Sequence, residues 1–311
     1  MRKALIATLS ALARREPRIV LLTGDLGYTV VEPFREEFPE RFFNAGVAEQ
    51  NMIGMATGLA ESGFIPFVYS IATFAALRPY EFIRNGPVLH RLPVRVLGIG
   101  AGFEYGSAGP THHALEDLAA LRPYPGLTLV CPADCTQAQN ALLKTWDLPG
   151  PVYYRLSKND QLQVPELEGR FDLARTQVLR NGEDLLLIAL GTMAANALAA
   201  AEALALKGVQ STVLALSSFN PSPDSDLAEW LSRFSLAISV ESHSVSGGAG
   251  SLISEIIAER ALNCRLVRCG VRTAPDGLSG STAYLEEKHG ISGEALARTA
   301  LREMEYARYS K

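Results

Sequence analysis

Short aliphatic and β-branched runs alternate with longer helical patterns along the whole of this 311-residue chain. RIVLLT at 18–23, FIPFVY at 64–69 and VRVLG at 94–98 are runs of this kind, and helical patterns such as 50–61 and 194–206 lie between them. A strand that is continuously apolar is buried on both faces, as in a parallel sheet covered by helices. The alternation therefore predicts an α/β protein with largely parallel sheets.

The apolar pattern weakens between residues 159 and 172, where the sequence is polar and contains proline and glycine. Such clusters mark connections between elements. A chain of this length has room for two domains with separate cores. We therefore predict a first domain over 1–160, a linker over 161–174 and a second domain over 175–311.

Composition limits the kinds of molecule that this protein is expected to bind. The formal net charge of −4 and the pI near 5.8 do not indicate binding to nucleic acid or to an anionic membrane. No run approaches the roughly 18 apolar residues of a membrane span. The N-terminal segment 1–18 is interrupted by polar residues and has no cleavage site, so it predicts an amphipathic helix rather than a signal peptide. Sparse cysteine usage indicates a cytoplasmic protein whose thiols are structural.

One acidic residue, Glu49, stands just inside a helical pattern, in the segment NAGVAEQNMIG at 44–54. A carboxylate near a helix N-terminus is stabilised by about 0.3–1 kcal/mol, which would explain Glu49 without any function. Met52, Met55 and Ala56 make the following helix apolar, however. Glu49 is therefore predicted to be poorly solvated and to require a partner or a change in its protonation.

Two adjacent histidines follow a glycine-rich loop in GSAGPTHHALED at 106–117. If they open a helix, His112 lies one turn from Glu116, and His113 lies one turn from Asp117. Each imidazole would then have an acid to orient it. The alternative is a helix cap with both histidines on the surface. A metal site is not predicted, because adjacent histidines on a helix point about 100° apart and no HExxH spacing is present.

Two further segments are candidates for phosphate binding. Arg155 and Lys158 stand at the end of the apolar run VYYRL, where open α/β sheets bind ligands, although a solvated strand end is an equal alternative. The glycine-rich segment 247–250 follows Glu241-Ser-His243. It matches neither GxGxxG nor a P-loop, so a tight turn between a strand and a helix is the better prediction.

Several of these segments occur in a familiar order: 41–85 (RFFNAGVAEQNM…EFIRN), 106–134 (GSAGPTHHALEDLA…CPAD) and 150–158 (GPVYYRLSK). Together they resemble the pyrimidine-binding domain of transketolases, and VESHSVSGGAGSLISEIIAE at 240–259 resembles their C-terminal domain. The resemblance covers about residues 1–300. It implies a thiamine diphosphate enzyme that moves a two-carbon ketol unit from a ketose to an aldehyde.

The resemblance also implies roles for single residues. The family's glutamate in the AEQ motif, here Glu49, hydrogen-bonds a ring nitrogen of the cofactor's aminopyrimidine and activates the cofactor. Phe74 is the candidate to stack on the pyrimidine, with Tyr69 in reserve. His112 matches a histidine that contacts the substrate near the reacting carbons. Asp25 matches an acidic position near the cofactor.

Four more residues complete the candidate substrate contacts. Lys158 falls where many transketolases have an arginine for the substrate phosphate, and Arg155, His113 and His243 are the others. Ala108 is a departure, because transketolases commonly have an aspartate there that contacts a substrate hydroxyl. A site without that acid is expected to discriminate less well for the hydroxyl it contacted.

No Gly-Asp-Gly occurs in the chain, although transketolases use such a motif to hold magnesium and the diphosphate. The resemblance therefore implies a partner subunit that supplies this domain and binds most of the thiamine diphosphate and Mg²⁺. We expect a two-plus-two heterotetramer, with self-association through the shared fold. Two other functions stay open: the beta subunit of a 2-oxoacid dehydrogenase-type enzyme, and a non-catalytic scaffolding subunit.

Overall fold

The computed structural model describes residues 1–273 and 277–309. The predicted second domain, 175–311, thus includes a few residues outside the described ranges. The strands of the described residues are β1 (Ile19–Thr23), β2 (Phe42–Asn44), β3 (Ile65–Ile71), β4 (Arg95–Ile99), β5 (Thr128–Val130), β6 (Val152–Leu156), β7 (Thr176–Arg180), β8 (Leu185–Leu190), β9 (Ser211–Leu216), β10 (Ser218–Asn220), β11 (Leu236–Ser244) and β12 (Arg265–Val271).

The helices lie between these strands and cover both sheets. They are α1 (Arg2–Ala13), α2 (Glu32–Glu37), α3 (Glu49–Glu61), α4 (Ala72–Leu77), α5 (Tyr80–Ile83), α6 (Asp117–Leu121), α7 (Cys135–Thr145), α8 (Ala194–Ala205), α9 (Asp224–Ser232), α10 (Ala249–Glu259), α11 (Thr282–Lys288) and α12 (Gly293–Tyr309). The predicted amphipathic first helix is present as α1, which buries Leu5, Ile6 and Leu9. No helix in the described ranges is long and apolar enough to cross a membrane.

The strands form two mostly parallel sheets. The first has the order β10-β5-β6-β4-β3-β1-β2 and the second β12-β11-β8-β9-β7. Only the edge pairs β10·β5 and β7·β9 are antiparallel among the described strands. The predicted α/β class with two largely parallel sheets is confirmed. Central strands such as β1 and β6 are buried along their whole length, as expected for a sheet covered on both faces.

The two halves of the chain are more closely joined than the sequence suggests. Strand β10 belongs to the second half, yet it pairs with β5 at the edge of the first sheet. The segment 161–174, predicted as a linker, packs against the rest of the protein, because its side chains Val164, Leu167 and Phe171 are buried. Its backbone carbonyls accept hydrogen bonds from side chains of α7. The interior of the molecule therefore continues from one half into the other.

Asp134 ties this connecting segment to α7. Its Oδ1 accepts the amide of Gln137 at 2.7 Å as a helix cap, and its Oδ2 accepts the amide of Val164 at 3.0 Å. Replacement by alanine removes the cap and leaves the buried Val164 amide without its acceptor. We expect Asp134→Ala to lower the free energy of unfolding by about 2–3 kcal/mol in urea titrations. Ser281→Ala removes an ordinary cap on α11 and should cost only about 1 kcal/mol; equal losses would contradict the double role of Asp134.

Candidate active site

Glu49 is the first residue of α3 and is buried, with only 2% of its surface exposed. Ser70 Oγ, in β3, donates to Glu49 Oε1 at 3.0 Å, and Arg78 Nη1, just after α4, donates to Oε2 at 2.8 Å. A buried carboxylate needs such partners. The sequence predicted that Glu49 would require a partner, and these two side chains provide it. A charge that merely stabilised the start of a helix would not need to be buried or held on both oxygens.

An aromatic ring and an imidazole lie beside this carboxylate. The Arg78 guanidinium carbon is 3.8 Å from the centre of the Phe74 ring. The Phe74 ring meets the His112 imidazole edge-on, with 5.0 Å between ring centres. The structure therefore brings together Glu49, Phe74 and His112, which the sequence had singled out in separate segments. Arg78, which links Glu49 to Phe74, was missed; its position one helical turn after Phe74 is the signal that could have found it.

Space beside the carboxylate is preserved by a glycine. A Cβ at Gly24, directly after β1, would lie 3.6 Å from Glu49 Oε1 and 3.4 Å from the carbonyl oxygen of Gly46. The next residue, Asp25, is exposed and accepts a hydrogen bond from Asn44 Nδ2 at 3.0 Å. Asp25 thus directly follows the glycine that borders the Glu49 carboxylate.

The structure contradicts the prediction that Tyr69 is the reserve candidate to stack on the pyrimidine. Tyr69 is 2% exposed and packs in the apolar cluster under α1 and α7, on the far side of the sheet from Glu49. Successive side chains of a strand point to opposite faces. Because Ser70 faces Glu49, Tyr69 faces away from it and lies too far inside to stack on a ligand there.

The histidine pair is also arranged differently from the prediction. Gly102 and Ala114 form an antiparallel bridge that keeps this part of the chain extended, so α6 begins only at Asp117. His112 ends a short 3₁₀ turn, is half-buried, and hydrogen-bonds through Nδ1 to Thr111 Oγ1 at 2.9 Å. The expected pairing of each histidine with an acid one helical turn later is therefore wrong.

His113 points inward, away from the Glu49 site. It is buried against the edge of the Phe103 ring, with 5.2 Å between ring centres. Burial lowers the pKa of its imidazole. A substrate contact for His113, as predicted, does not agree with this position.

The positions of Arg155 and His243 also disagree with the predicted substrate contacts. Arg155 is buried, and its Nε donates to Asp117 Oδ2 at 2.9 Å. Its Nη2 donates to the carbonyl oxygens of Ala114 at 2.7 Å and Ser242 at 3.0 Å. His243 is fully buried, with Nε2 3.8 Å from Asp117 Oδ1. Both residues lie inside the junction of the two halves, because β6 directs Arg155 to the same inner face as Tyr153.

Lys158 stays at the surface of a cleft. Its Nζ lies 4.6 Å from the centre of the Tyr105 ring, and its backbone amide donates to Glu104. Tyr105 in turn lies 6.4 Å from the His112 ring. Of the proposed phosphate contacts, Lys158 is therefore the one whose position is compatible with a ligand near His112.

The glycine-rich segment at 247–250 forms a turn between a strand and a helix. The amides of Ala249 and Gly250, at the start of α10, donate to the Glu241 carboxylate at 2.6 and 3.0 Å. Burial nevertheless raises the pKa of Glu241 to about 7. The amides that a phosphate would use are already bound to this side chain, so the segment is not a phosphate loop in this chain.

Comparison with known proteins identifies the family. Residues 1–162 match the pyrimidine-binding domain of transketolase, and residues 174–296 match the transketolase C-terminal domain. This chain belongs to the transketolase family. The resemblance stated from the sequence motifs is thus confirmed.

Two relatives that match this chain over nearly their whole length are described as a section and a subunit of transketolases. The chain is 37% identical over 307 residues to a putative transketolase C-terminal section from Methanocaldococcus jannaschii, covering 98% of this chain and 96% of the relative. It is 34% identical over 303 residues to 6-deoxy-6-sulfo-D-fructose transketolase subunit SqwH from Clostridium sp., covering 96% and 93%. A split-gene transketolase solved as an inactive beta4 tetramer has a TM-score of 0.87 at 35% identity, with 97% of both chains covered. The chain is accordingly a small subunit of a two-component transketolase-like enzyme.

The Asp117–Arg155 pair allows a direct test of the junction. Arg155→Met leaves the Asp117 carboxylate buried without its cation, so we expect the free energy of unfolding to fall by about 3–5 kcal/mol. The double variant Asp117→Asn/Arg155→Met should lose less, because no buried charge remains unpaired. Arg175→Met removes an arginine that is 66% exposed and should cost less than about 1 kcal/mol. A loss for Arg155→Met no larger than that for Arg175→Met would contradict the assignment.

His243 makes stability depend on pH. Burial lowers its pKa from 6.5 to about 4, so between these values the unfolded state binds more protons than the folded state. This contribution reduces the free energy of unfolding as the pH falls from 6.5 to 4. In His243→Gln it is absent, and the wild type should lose about 2–3 kcal/mol relative to the variant between pH 7 and pH 4. Urea unfolding of both proteins at each pH measures this difference in the free energy of unfolding. If both proteins lose the same free energy between pH 7 and pH 4, His243 makes no such contribution.

Proposed function

We propose that this subunit, joined to a diphosphate-binding partner, transfers a two-carbon ketol unit from a ketose-type donor to an aldehyde acceptor. The main support is the buried Glu49 carboxylate, held by Ser70 and Arg78 beside the Phe74 ring and the His112 imidazole. This arrangement suits an aminopyrimidine. The carboxylate can accept from or share a proton with a ring nitrogen, the phenyl ring offers an apolar face, and Gly24 leaves the adjacent space open.

Thiamine diphosphate, when bound, supplies a carbon nucleophile that permits cleavage of the bond beside a carbonyl. The residues of this chain orient and protonate rather than form bonds. Glu49 holds a proton at the pyrimidine nitrogen in a site screened from water, where such an interaction is stronger than in solution. To His112, which is half-buried with its ring centre 5.0 Å from that of Phe74, we assign a hydrogen bond to the substrate oxygen near the reacting carbons.

A partner subunit is part of this proposal. Val47 and Tyr28, on the same side of the molecule as Glu49 and Asp25, are 71% and 70% exposed. Large apolar side chains exposed next to a buried catalytic carboxylate support the presence of a covering protein. We assign most contacts to Mg²⁺ and the diphosphate to that partner and expect a two-plus-two heterotetramer in the cytoplasm. The buried, unpaired thiols are compatible with a reducing compartment.

Ala108 favours a second candidate for the donor. It is exposed in the 3₁₀ turn Gly106–Ala108, next to the segment that carries His112. An alanine cannot contact a donor hydroxyl as an aspartate would, which keeps a 2-oxoacid donor open. Assays of the reconstituted enzyme with a ketose phosphate and with pyruvate as donor separate the two candidates. If pyruvate is turned over and the ketose phosphate is not, the donor is a 2-oxoacid and not a ketose.

Glu49 provides the decisive test. With partner, thiamine diphosphate and Mg²⁺ present, we expect Glu49→Gln to lower kcat by about 10²–10⁴-fold, because the amide cannot exchange a proton with the pyrimidine nitrogen. Glu294→Gln changes an exposed glutamate in the first turn of α12 and should leave kcat unchanged. Full activity of Glu49→Gln on both donors would exclude the proposed chemistry, and a non-catalytic subunit would then be the better account.

A further inference from the structure

The Arg78 guanidinium lies on both of the groups that we assign to the cofactor's aminopyrimidine. Its Nη1 donates to Glu49 Oε2 at 2.8 Å, and its Cζ lies 3.8 Å from the centre of the Phe74 ring. Within the described residues, Glu49 is its only ion-pair and hydrogen-bond partner. One long side chain therefore contacts the carboxylate and the aromatic ring of the candidate active site at the same time.

A guanidinium and a protonated aminopyrimidine are recognised by the same chemistry. Both are planar, delocalised cations that donate N–H groups along an edge and stack on an aromatic ring through a face. A carboxylate beside a phenyl ring therefore suits either of them. Where the Arg78 guanidinium lies over the Phe74 ring, however, no second planar group can lie over the same face. Arg78 and an aminopyrimidine bound there would exclude each other.

Arg78 can leave this position without a change in the backbone. It directly follows α4 with helical backbone angles, one turn after Phe74, and the next residue, Pro79, is buried. The Arg78 side chain is nevertheless 42% exposed, so rotation about its own bonds takes the guanidinium into solvent. Ser70 is buried and donates to Glu49 Oε1 from β3, and this contact does not depend on Arg78.

The second ion pair of this kind in the chain shows what a permanent contact looks like. The side chain of Arg155 is 3% exposed beside Asp117, whereas that of Arg78 is 42% exposed beside Glu49. Breaking a pair that is buried on both sides is strongly unfavourable, but an exposed cation loses little when it returns to water. Arg78 is therefore the arginine of the two that a ligand can displace.

We propose that Arg78 takes the place of the aminopyrimidine while no cofactor is bound, and turns to solvent when thiamine diphosphate binds. This inference rests on the proposed function, because it requires that the cofactor contacts Glu49. Without the cofactor, Arg78 keeps the buried carboxylate paired. The same contact lowers the apparent affinity for the cofactor, because only molecules in which Arg78 has moved aside are competent to bind. Arg78 is thus a positioning residue that acts through Glu49.

Cofactor affinity tests this proposal. In the enzyme reconstituted with its partner and Mg²⁺, Arg78→Met should bind thiamine diphosphate about five- to tenfold more tightly than the wild type, because no side chain has to be displaced. Arg298→Met removes an arginine of α12 that is 62% exposed and should leave the Kd unchanged. Calorimetric titration measures both values. An unchanged Kd for Arg78→Met, or weaker binding, would overturn the proposal, since Arg78 would then be a permanent partner of Glu49 or a ligand of the cofactor.

Thermal unfolding provides a second readout. In the chain without partner or cofactor, Arg78→Met leaves Glu49 buried without its cation and should lower the melting temperature by about 3–6 °C. The double variant Glu49→Gln/Arg78→Met should recover most of this loss, because no buried charge remains unpaired. Saturating thiamine diphosphate should bring the reconstituted Arg78→Met enzyme back to the melting temperature of the wild type. A deficit that persists with the cofactor bound would identify Arg78 as structural and contradict the proposal.

A third variant covers the case in which Arg78→Met does not fold. Arg78→Lys keeps the positive charge but cannot stack as a plane on Phe74, so it should also lower the Kd for the cofactor. Failure of this inference is distinguishable from failure of the proposed function. If the wild type binds thiamine diphosphate but transfers no ketol unit, the proposed function fails and the Kd comparison still decides. If it transfers the ketol unit and neither variant lowers the Kd, only the inference fails. A wild type that binds no thiamine diphosphate overturns both.

Discussion

The buried ion pair between Asp117 and Arg155 is the interaction on which the arrangement of the two halves depends. One guanidinium reaches a carboxylate at the start of α6, the carbonyl oxygen of Ala114 and the carbonyl oxygen of Ser242. It thereby connects the first sheet, the loop that carries His112 and the second sheet. A fully buried charge is tolerated only with its hydrogen bonds satisfied, so these three elements cannot shift independently.

This constraint also explains two errors of the sequence analysis. Arg155 and His243 are charged or polar residues at strand ends, where a ligand is usually expected. Whether a strand end faces solvent or another domain depends on how the two sheets pack, and the residues around the strand end do not show this packing. Here the second half covers the end of β6, so Arg155 stabilises the junction while Lys158, only a few residues later, remains at the cleft. The fold thus buries Arg155 in the junction and leaves Lys158 at the surface of the cleft.

Local patterns predicted most of the elements, and long-range pairing explains most of the exceptions. The runs at 18–23, 64–69 and 94–98 became strands β1, β3 and β4 with bounds within two residues of each run, because a buried apolar run flanked by turns has few alternatives. Strand β10 was missed, since Ser-Phe-Asn has no period and pairs only because β5 lies next to it. The helix expected at His112 was prevented by the bridge from Gly102 to Ala114, which spacing alone does not show. At the candidate site, the motif identified Glu49 and the structure added Arg78.

Arg78 also clarifies how this chain can carry the buried carboxylate for which we propose a catalytic role. Glu49 is buried by residues of this chain, and a carboxylate without partners there would strongly destabilise the fold. Arg78, itself 42% exposed, neutralises the Glu49 charge from the open side, while Ser70 donates a hydrogen bond to the carboxylate from within the sheet. The inner contact comes from a rigid strand, whereas the outer one comes from a long side chain with room to move. The chain therefore stabilises its own carboxylate and leaves accessible the face that a cofactor would approach.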